Sequence, residues 1–196
     1  MTNQEDQFYI TKILEGDSSY YTHLVNRYKN LVYSIVLRML KNEDDAHEVA
    51  QDVFVKVYTS LASFKGDAKF STWIYKIAYH KCLDALKKKK RNFDTVSIDA
   101  TYEIGIDQVE NGLGQLETAE RKEIINKAIL SLKEDYAAIL TLYYFEELSL
   151  KEITKVVGGT LDNVKIKLYR GRKMLFGILK KQLDPETLAI YERGTK

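Results

Sequence analysis

With only one cysteine, Cys82, the chain cannot form an intramolecular disulfide, and the placing of that residue in a helical apolar pattern fits a reducing compartment. No run of about eighteen apolar residues is present, which excludes a membrane-spanning helix. Met1 to Phe8 carries Glu5 and Asp6 and lacks the positive and apolar regions of a secretory signal, so the expected location is cytoplasmic. There is no glycine-rich phosphate loop and no Ser/His/Asp arrangement in a recognisable context, so nothing supports catalysis or a small-molecule substrate. Metal ligands are equally sparse. His80 and Cys82 are two apart and face different ways on a helix, and His23 stands alone. Asp44-Asp-Ala-His47 offers a carboxylate and an imidazole at i, i+3, but a di-iron bundle needs a second such copy and the chain has none. No cofactor is expected, and a metal-dependent helical enzyme fails on ligand count.

What the chain has is charge, sorted along its length. Net charge is only +2, yet residues 61–93 hold nine basic and two acidic side chains, and residues 151–196 hold eleven and five. Between them, residues 94–120 hold seven acidic side chains and no basic one. Clustered cations gain from counterion release where they face phosphates together, so two anionic contacts are one reading and solvated helix faces the other.

The periodicity is helical nearly throughout, and no segment of strand period is long enough for a sheet, so the fold class is all-α. Leu24, Val25, Tyr28, Leu31, Val32, Ile35, Val36 and Met39 form one buried stripe over 21–40. Asn42 caps a second helix that buries Ala46, Val49, Ala50, Val53, Val57 and Leu61. After a turn at Gly66, Ser71 or Thr72 is expected to cap a third helix with Ile74, Ala78 and Cys82 inward, ending in Lys87 to Arg91. Residues 92–118 lose periodicity and read as an acidic linker. Beyond it, Ile124, Ile125, Ala128, Ile129 and Leu132 mark a fourth helix, and Ser131-Leu-Lys-Glu134 reads as a capping box opening a fifth. A second capping box, Ser149-Leu-Lys-Glu152, opens a short helix that stops at Gly158-Gly159, and a longer helix begins near Thr160.

Three constellations stand out. The capped short helix, glycine turn and basic helix form a helix-turn-helix or, more plainly, a helical hairpin. In the first reading Thr160, Asn163, Lys165 and Lys167 meet base edges while Arg170, Arg172 and Lys173 hold backbone or guanine. The loop from Phe64 and the helix after it interleave aromatic residues and cations: Lys69, Trp73, Tyr75, Lys76, Tyr79, His80, Lys87 and Lys88. Stacking faces beside phosphate-tracking cations suit single-stranded nucleic acid, although Trp73 could equally be core. Tyr75 is expected off the Ile74, Ala78, Cys82 stripe. Finally, Asp45, Glu48 and Asp52 stack on one face of the second helix, either as tolerated surface or as a docking face for a basic partner.

In order and spacing these pieces resemble the extracytoplasmic-function sigma factors of bacterial RNA polymerase over roughly Tyr20 to Leu179. The resemblance is carried by Leu24-Val-Asn-Arg-Tyr28, by Asp44-Asp-Ala-His-Glu-Val-Ala-Gln-Asp-Val-Phe54 and by Phe64-Lys-Gly-Asp-Ala-Lys-Phe-Ser-Thr-Trp-Ile-Tyr-Lys-Ile-Ala78. In the second half it rests on Leu148-Ser-Leu-Lys-Glu-Ile153, Gly158 and Val164-Lys-Ile-Lys-Leu-Tyr-Arg-Gly-Arg-Lys-Met-Leu175. It implies a region 2 domain over 1–91, a linker over 92–118, a region 4 domain over 119–182 and a tail over 183–196. Asp45, Glu48, Gln51, Asp52 and Phe54 would dock on core polymerase. Phe64, Lys69, Trp73, Tyr75, Lys76, Tyr79, His80, Lys87 and Lys88 would open and read the minus-ten element. Thr160, Asn163, Lys165, Lys167, Arg170, Arg172 and Lys173 would read the minus-thirty-five element. The implied partners are core polymerase, promoter DNA as duplex and melted strand, and an anti-sigma factor. His80 stands where many relatives carry Asn, and Thr160-Leu-Asp-Asn163 departs from the usual turn, so base preference does not carry over. The alternative is a standalone helix-turn-helix regulator, which would need a sensor or dimerisation domain in the first half.

Overall fold

The structure, a computed structural model, describes residues 3–92 and 119–182. The linker expected over 92–118, apart from Asn92, and the tail over 183–196 lie outside the described residues. Among the described residues there are eight α-helices, two short 3-10 turns and no strand, and no helix is long and apolar enough to cross a membrane.

The first half comprises α1 (Asn3–Leu14), α2 (Tyr21–Leu40), α3 (Glu43–Ser60) and α4 (Phe70–Asn92). Helix α1 has no counterpart in the sequence reading. It is tied down by a polar anchor as well as by buried Ile10 and Ile13: Asp6 accepts hydrogen bonds from Arg27 at 2.6 Å and from the Tyr28 hydroxyl at 2.6 Å. Helix α2 buries Leu24, Tyr28, Val32, Ile35, Val36 and Met39, as its spacing requires. It stops at Lys41, which takes a left-handed conformation (φ 58°). Two residues later α3 begins, its Asn42 side chain accepting from the Asp45 amide at 2.9 Å, with Glu43, Asp44 and Asp45 at the positive end of the helix dipole. Helix α4 starts at Phe70, earlier than the Ser71 or Thr72 cap expected, because the fully buried Phe70 ring packs edge-on to Tyr28 and Phe64. Burying one such ring is worth about 1.5–3 kcal/mol, enough to fix where the helix begins.

The second half comprises α5 (Ala119–Leu130), α6 (Glu134–Tyr144), α7 (Leu150–Val157) and α8 (Leu161–Gln182). The expected capping box at Ser131 does not form. Lys133 holds the N-cap position of α6 but its side chain does not cap the helix, and the Ser131 hydroxyl turns back to donate to the Ala128 carbonyl at the end of α5. The box at Ser149 and Glu152 does form, with both reciprocal bonds present. Helix α7 then stops at Gly158 (φ 78°), and Gly159 (φ 83°) completes a turn that a side chain would strain. Thr160 Oγ1 accepts from the Asn163 amide and starts α8. Gly171 lies on the face of α8 that meets α6, where a Cβ would make an ordinary van der Waals contact with the Leu140 side chain at 3.4 Å.

The two halves are packed on one another, with α2 against α6 and α4 against α7. This places the aromatic helix α4 between the two halves.

Candidate nucleic-acid interface and docking face

Helix α3 shows its acidic stripe to the outside. Glu48, Gln51 and Asp52 are exposed, while Asp45 and Phe54 are half-buried. The stripe is not without partners. Lys81 of α4 reaches Asp52 at 3.1 Å and Lys89 reaches Asp45 at 2.8 Å. Exposed pairs of this kind contribute about 0–1 kcal/mol, so they position the carboxylates without neutralising the face. Val55 and Tyr58, both exposed, continue the stripe past Asp52 by further helical steps, and the sequence reading left them out. Their signal was two apolar residues on a face otherwise polar.

The loop from Phe64 to Lys69 and the first turns of α4 form an aromatic cluster. Trp73 is half-buried and stacks on Phe70 with ring centroids 5.6 Å apart, while Phe64 lies 5.4 Å from Trp73. Beside it is a cleft of about 320 Å³ bordered by Phe64, Lys65, Thr72, Trp73, Lys76 and, from α7, Lys155. Lys76 and His80 are exposed, and His80 Nδ1 lies 2.7 Å from the Lys76 carbonyl. Lys87 and Lys88 are exposed at the far end of α4, and Lys69 at the loop's end pairs with Glu152 at 3.2 Å.

Tyr75 and Tyr79 are elsewhere. The expectation that Tyr75 lies off the buried stripe fails: it is 2% exposed and Tyr79 only 4%. Tyr75 donates its hydroxyl proton to Glu146, and Tyr79 donates to Asp135 at 3.1 Å, both acceptors belonging to the second half. Helix α4 has neighbours on two sides, so a second stripe at i, i+4 is buried beside the first. Burial, with the adjacent carboxylate next in importance, pushes both phenols up from their usual range, and each acts as a neutral donor. Burial also raises the Glu146 carboxyl above its usual range, opposed by the Tyr75 bond and by the Arg38 charge. Arg38 is itself buried, lying 4.3 Å from the Phe145 ring centre and donating to Asn126 at 2.7 Å.

In the helix-turn-helix, Thr160, Asn163, Lys165 and Arg170 are exposed along α8, and Lys173 is half-buried. Lys167 turns away from them to bond Asp135 at 2.6 Å, and Arg172 lies over the Tyr143 ring at 5.0 Å. Thus four of the seven residues expected to contact the minus-thirty-five element are exposed, and two are engaged with α6 or with the tyrosines that follow its core.

The family models for Sigma-70 region 2 and Sigma-70 region 4 match residues 24–92 and 122–175. The ECF RNA polymerase sigma factor SigW of Bacillus subtilis is 32% identical over 175 residues, spanning 85% of this chain and 92% of that protein. The chain belongs to the extracytoplasmic-function sigma factors. The ECF RNA polymerase sigma-E factor of Escherichia coli K12 is similar at 30% identity over 176 residues, spanning 87% of this chain and 92% of that one. Among solved structures, the sigma factor RpoE of Bartonella quintana, crystallised with the anti-sigma factor NepR, shares the fold with a TM-score of 0.64 at 17% identity, over 82% of this chain and 96% of that one. As a sigma factor, this protein directs RNA polymerase to promoters and serves transcription initiation. A standalone helix-turn-helix regulator is not favoured, because the first half is accounted for by region 2.

Proposed function

We propose that this sigma factor divides its work among three surfaces, within a region 2 domain over 1–91 and a region 4 domain over 119–182. The acidic face of α3, Asp45, Glu48, Gln51, Asp52 and Phe54, docks on core polymerase, with Val55 and Tyr58 extending the contact. The Phe64–Trp73 cluster, with Lys69, Lys76, His80, Lys87 and Lys88, receives the minus-ten strand as it opens, joined by Tyr75 and Tyr79. Thr160, Asn163, Lys165 and Arg170 meet the minus-thirty-five duplex, with Lys167, Arg172 and Lys173 at its margin. The protein works in the cytoplasm, has no catalytic activity of its own, and is held in reserve by an anti-sigma factor.

The observation that carries this reading is the apolar cleft beside Trp73 with lysines at its rim. An aromatic stacking face flanked by cations gives a separated base and its phosphate their two principal contacts. With no nucleotide-hydrolysing motif, strand opening must be driven by binding, and stacking at about 1–3 kcal/mol per base is of the right size for a short AT-rich segment. Run-off transcription with bacterial core polymerase tests the assignment. Trp73→Ala should lower transcript from a duplex promoter and regain most of it on a template with a pre-melted minus-ten bubble. Equal loss on both templates would move Trp73 out of strand opening.

A further inference from the structure

Helix α8 shows an apolar side chain on its outward face. Ile166 is 48% exposed, whereas Val164 and Leu168, two residues before and after it, are 1% and 4% exposed and belong to the buried stripe. A step of two residues turns an α-helix by about 200°, so Ile166 points away from the core that those two enter. Asp162, Asn163 and Arg170 stand about one turn before or after Ile166 and are exposed on the same side. Among the exposed residues from Asp162 to Arg170, Ile166 alone has neither charge nor a hydrogen-bonding side chain. A single exposed isoleucine is common on a protein surface, and a β-branched side chain gains nothing there from helix propensity. Ile166 differs in its place. It sits between Asn163 and Arg170, in the middle of the face assigned above to the minus-thirty-five duplex.

We propose that Ile166 is a specificity-determining residue, packing on the C5-methyl group of a thymine in the major groove of the minus-thirty-five element. The proposal rests on the reading of α8 given above. In the major groove every base pair offers hydrogen-bond donors and acceptors, but only thymine offers an apolar group, its methyl. Isoleucine has no polar side-chain atom, so that methyl is the one base-edge feature it can gain from. Over guanine O6 or cytosine N4 it would strip water from a polar edge and return no hydrogen bond. Thymine is therefore selected by attraction and the other bases by exclusion. The cations beside it act differently. Where Lys165 or Arg170 holds a phosphate, the contact fixes the register of the helix without carrying sequence information.

The test uses the full chain with bacterial core polymerase. The holoenzyme first selects duplexes from a pool randomised across both promoter elements. Each thymine of the selected upstream element is then replaced in turn by deoxyuridine, which removes the C5-methyl and nothing else. At one position the replacement should weaken binding of a fluorescein-labelled duplex on the order of fourfold, the effect of burying one methyl group. Ile166→Ala holoenzyme should bind the thymine and deoxyuridine duplexes alike, and Ile166→Val should keep most of the discrimination. Since the side chain is exposed, Ile166→Ala should melt no lower than wild type. A lower melting temperature would make Ile166 a packing residue and overturn the proposal. So would a selected element in which no thymine responds to loss of its methyl, or an Ile166→Ala holoenzyme that still responds. Selection keeps the two failures apart. An upstream element that is selected but indifferent to the methyl defeats only the role of Ile166, whereas no upstream element selected with core polymerase present defeats the sigma-factor reading beneath it.

Discussion

Truncating Tyr75 to alanine should unfold the protein more easily before it says anything about DNA. The side chain is 2% exposed, so the substitution opens a cavity the size of a phenol ring, and aromatic-to-alanine changes in cores cost about 3–5 kcal/mol. It also leaves the Glu146 carboxylate without its donor, a loss of about 1–3 kcal/mol that overlaps with the first figure. Tyr75→Phe separates the two effects: it keeps the ring and drops only the hydroxyl, so only the smaller cost should remain. Urea denaturation followed by circular dichroism measures both, and Tyr75→Ala should move the midpoint well below that of Tyr75→Phe. A Tyr75→Ala midpoint equal to wild type would mean that the ring is solvated and that the packing of α4 against the second half is wrong. Permanganate probing of a Tyr75→Ala holoenzyme is therefore interpretable only with the denaturation curve beside it.

Charge reversal at Asp52 should abolish pull-down of core polymerase while lowering stability by no more than about 1 kcal/mol, since the exposed bond to Lys81 is replaced by a repulsion; undiminished pull-down would remove α3 as the docking face. Ser149→Ala should cost about 0.5–2 kcal/mol by breaking the box that starts α7, read as a lower melting temperature. Glu146 makes stability depend on pH. Its folded-state carboxyl is raised by burial, so its contribution is fully present below the unfolded value near 4.3 and is lost as pH rises through the folded value. Glu146→Gln should flatten that part of the stability profile, and an unchanged slope would show that the carboxylate is solvated.

Much of the fold was legible because most helices bury one stripe each. The spacing from Leu24 to Met39 and from Ala46 to Val57, the cap at Asn42 and the box at Ser149 all describe local bonds that the chain makes wherever the helix ends up. The failures share a cause: each depended on a neighbour. Helix α1 is secured by Asp6 reaching across to Arg27 and Tyr28, a polar anchor that apolar periodicity does not register. Ser131 prefers the end of α5 to the start of α6. Tyr75 and Tyr79 read as an outward face only if α4 has one neighbour, and it has two. Their i, i+4 spacing, with Ile77 between them, was the available sign that α4 is apolar over a wider arc than one partner can cover. The exposed ends of the site, Lys87 and Lys88 on α4, Lys165 and Arg170 on α8, and the polar Thr160 and Asn163 at its start, lie at the surface, since charged and polar groups keep their water unless a partner replaces it.

Footprinting of the holoenzyme on promoter DNA, with permanganate to mark unpaired thymines, tests the central claim most directly. A sigma factor with two reading surfaces should protect two separate patches, at the minus-thirty-five and minus-ten elements, and should give reactive thymines at the second only when core polymerase is present. A single protected patch with no reactive thymines, unchanged by adding core polymerase, would contradict it.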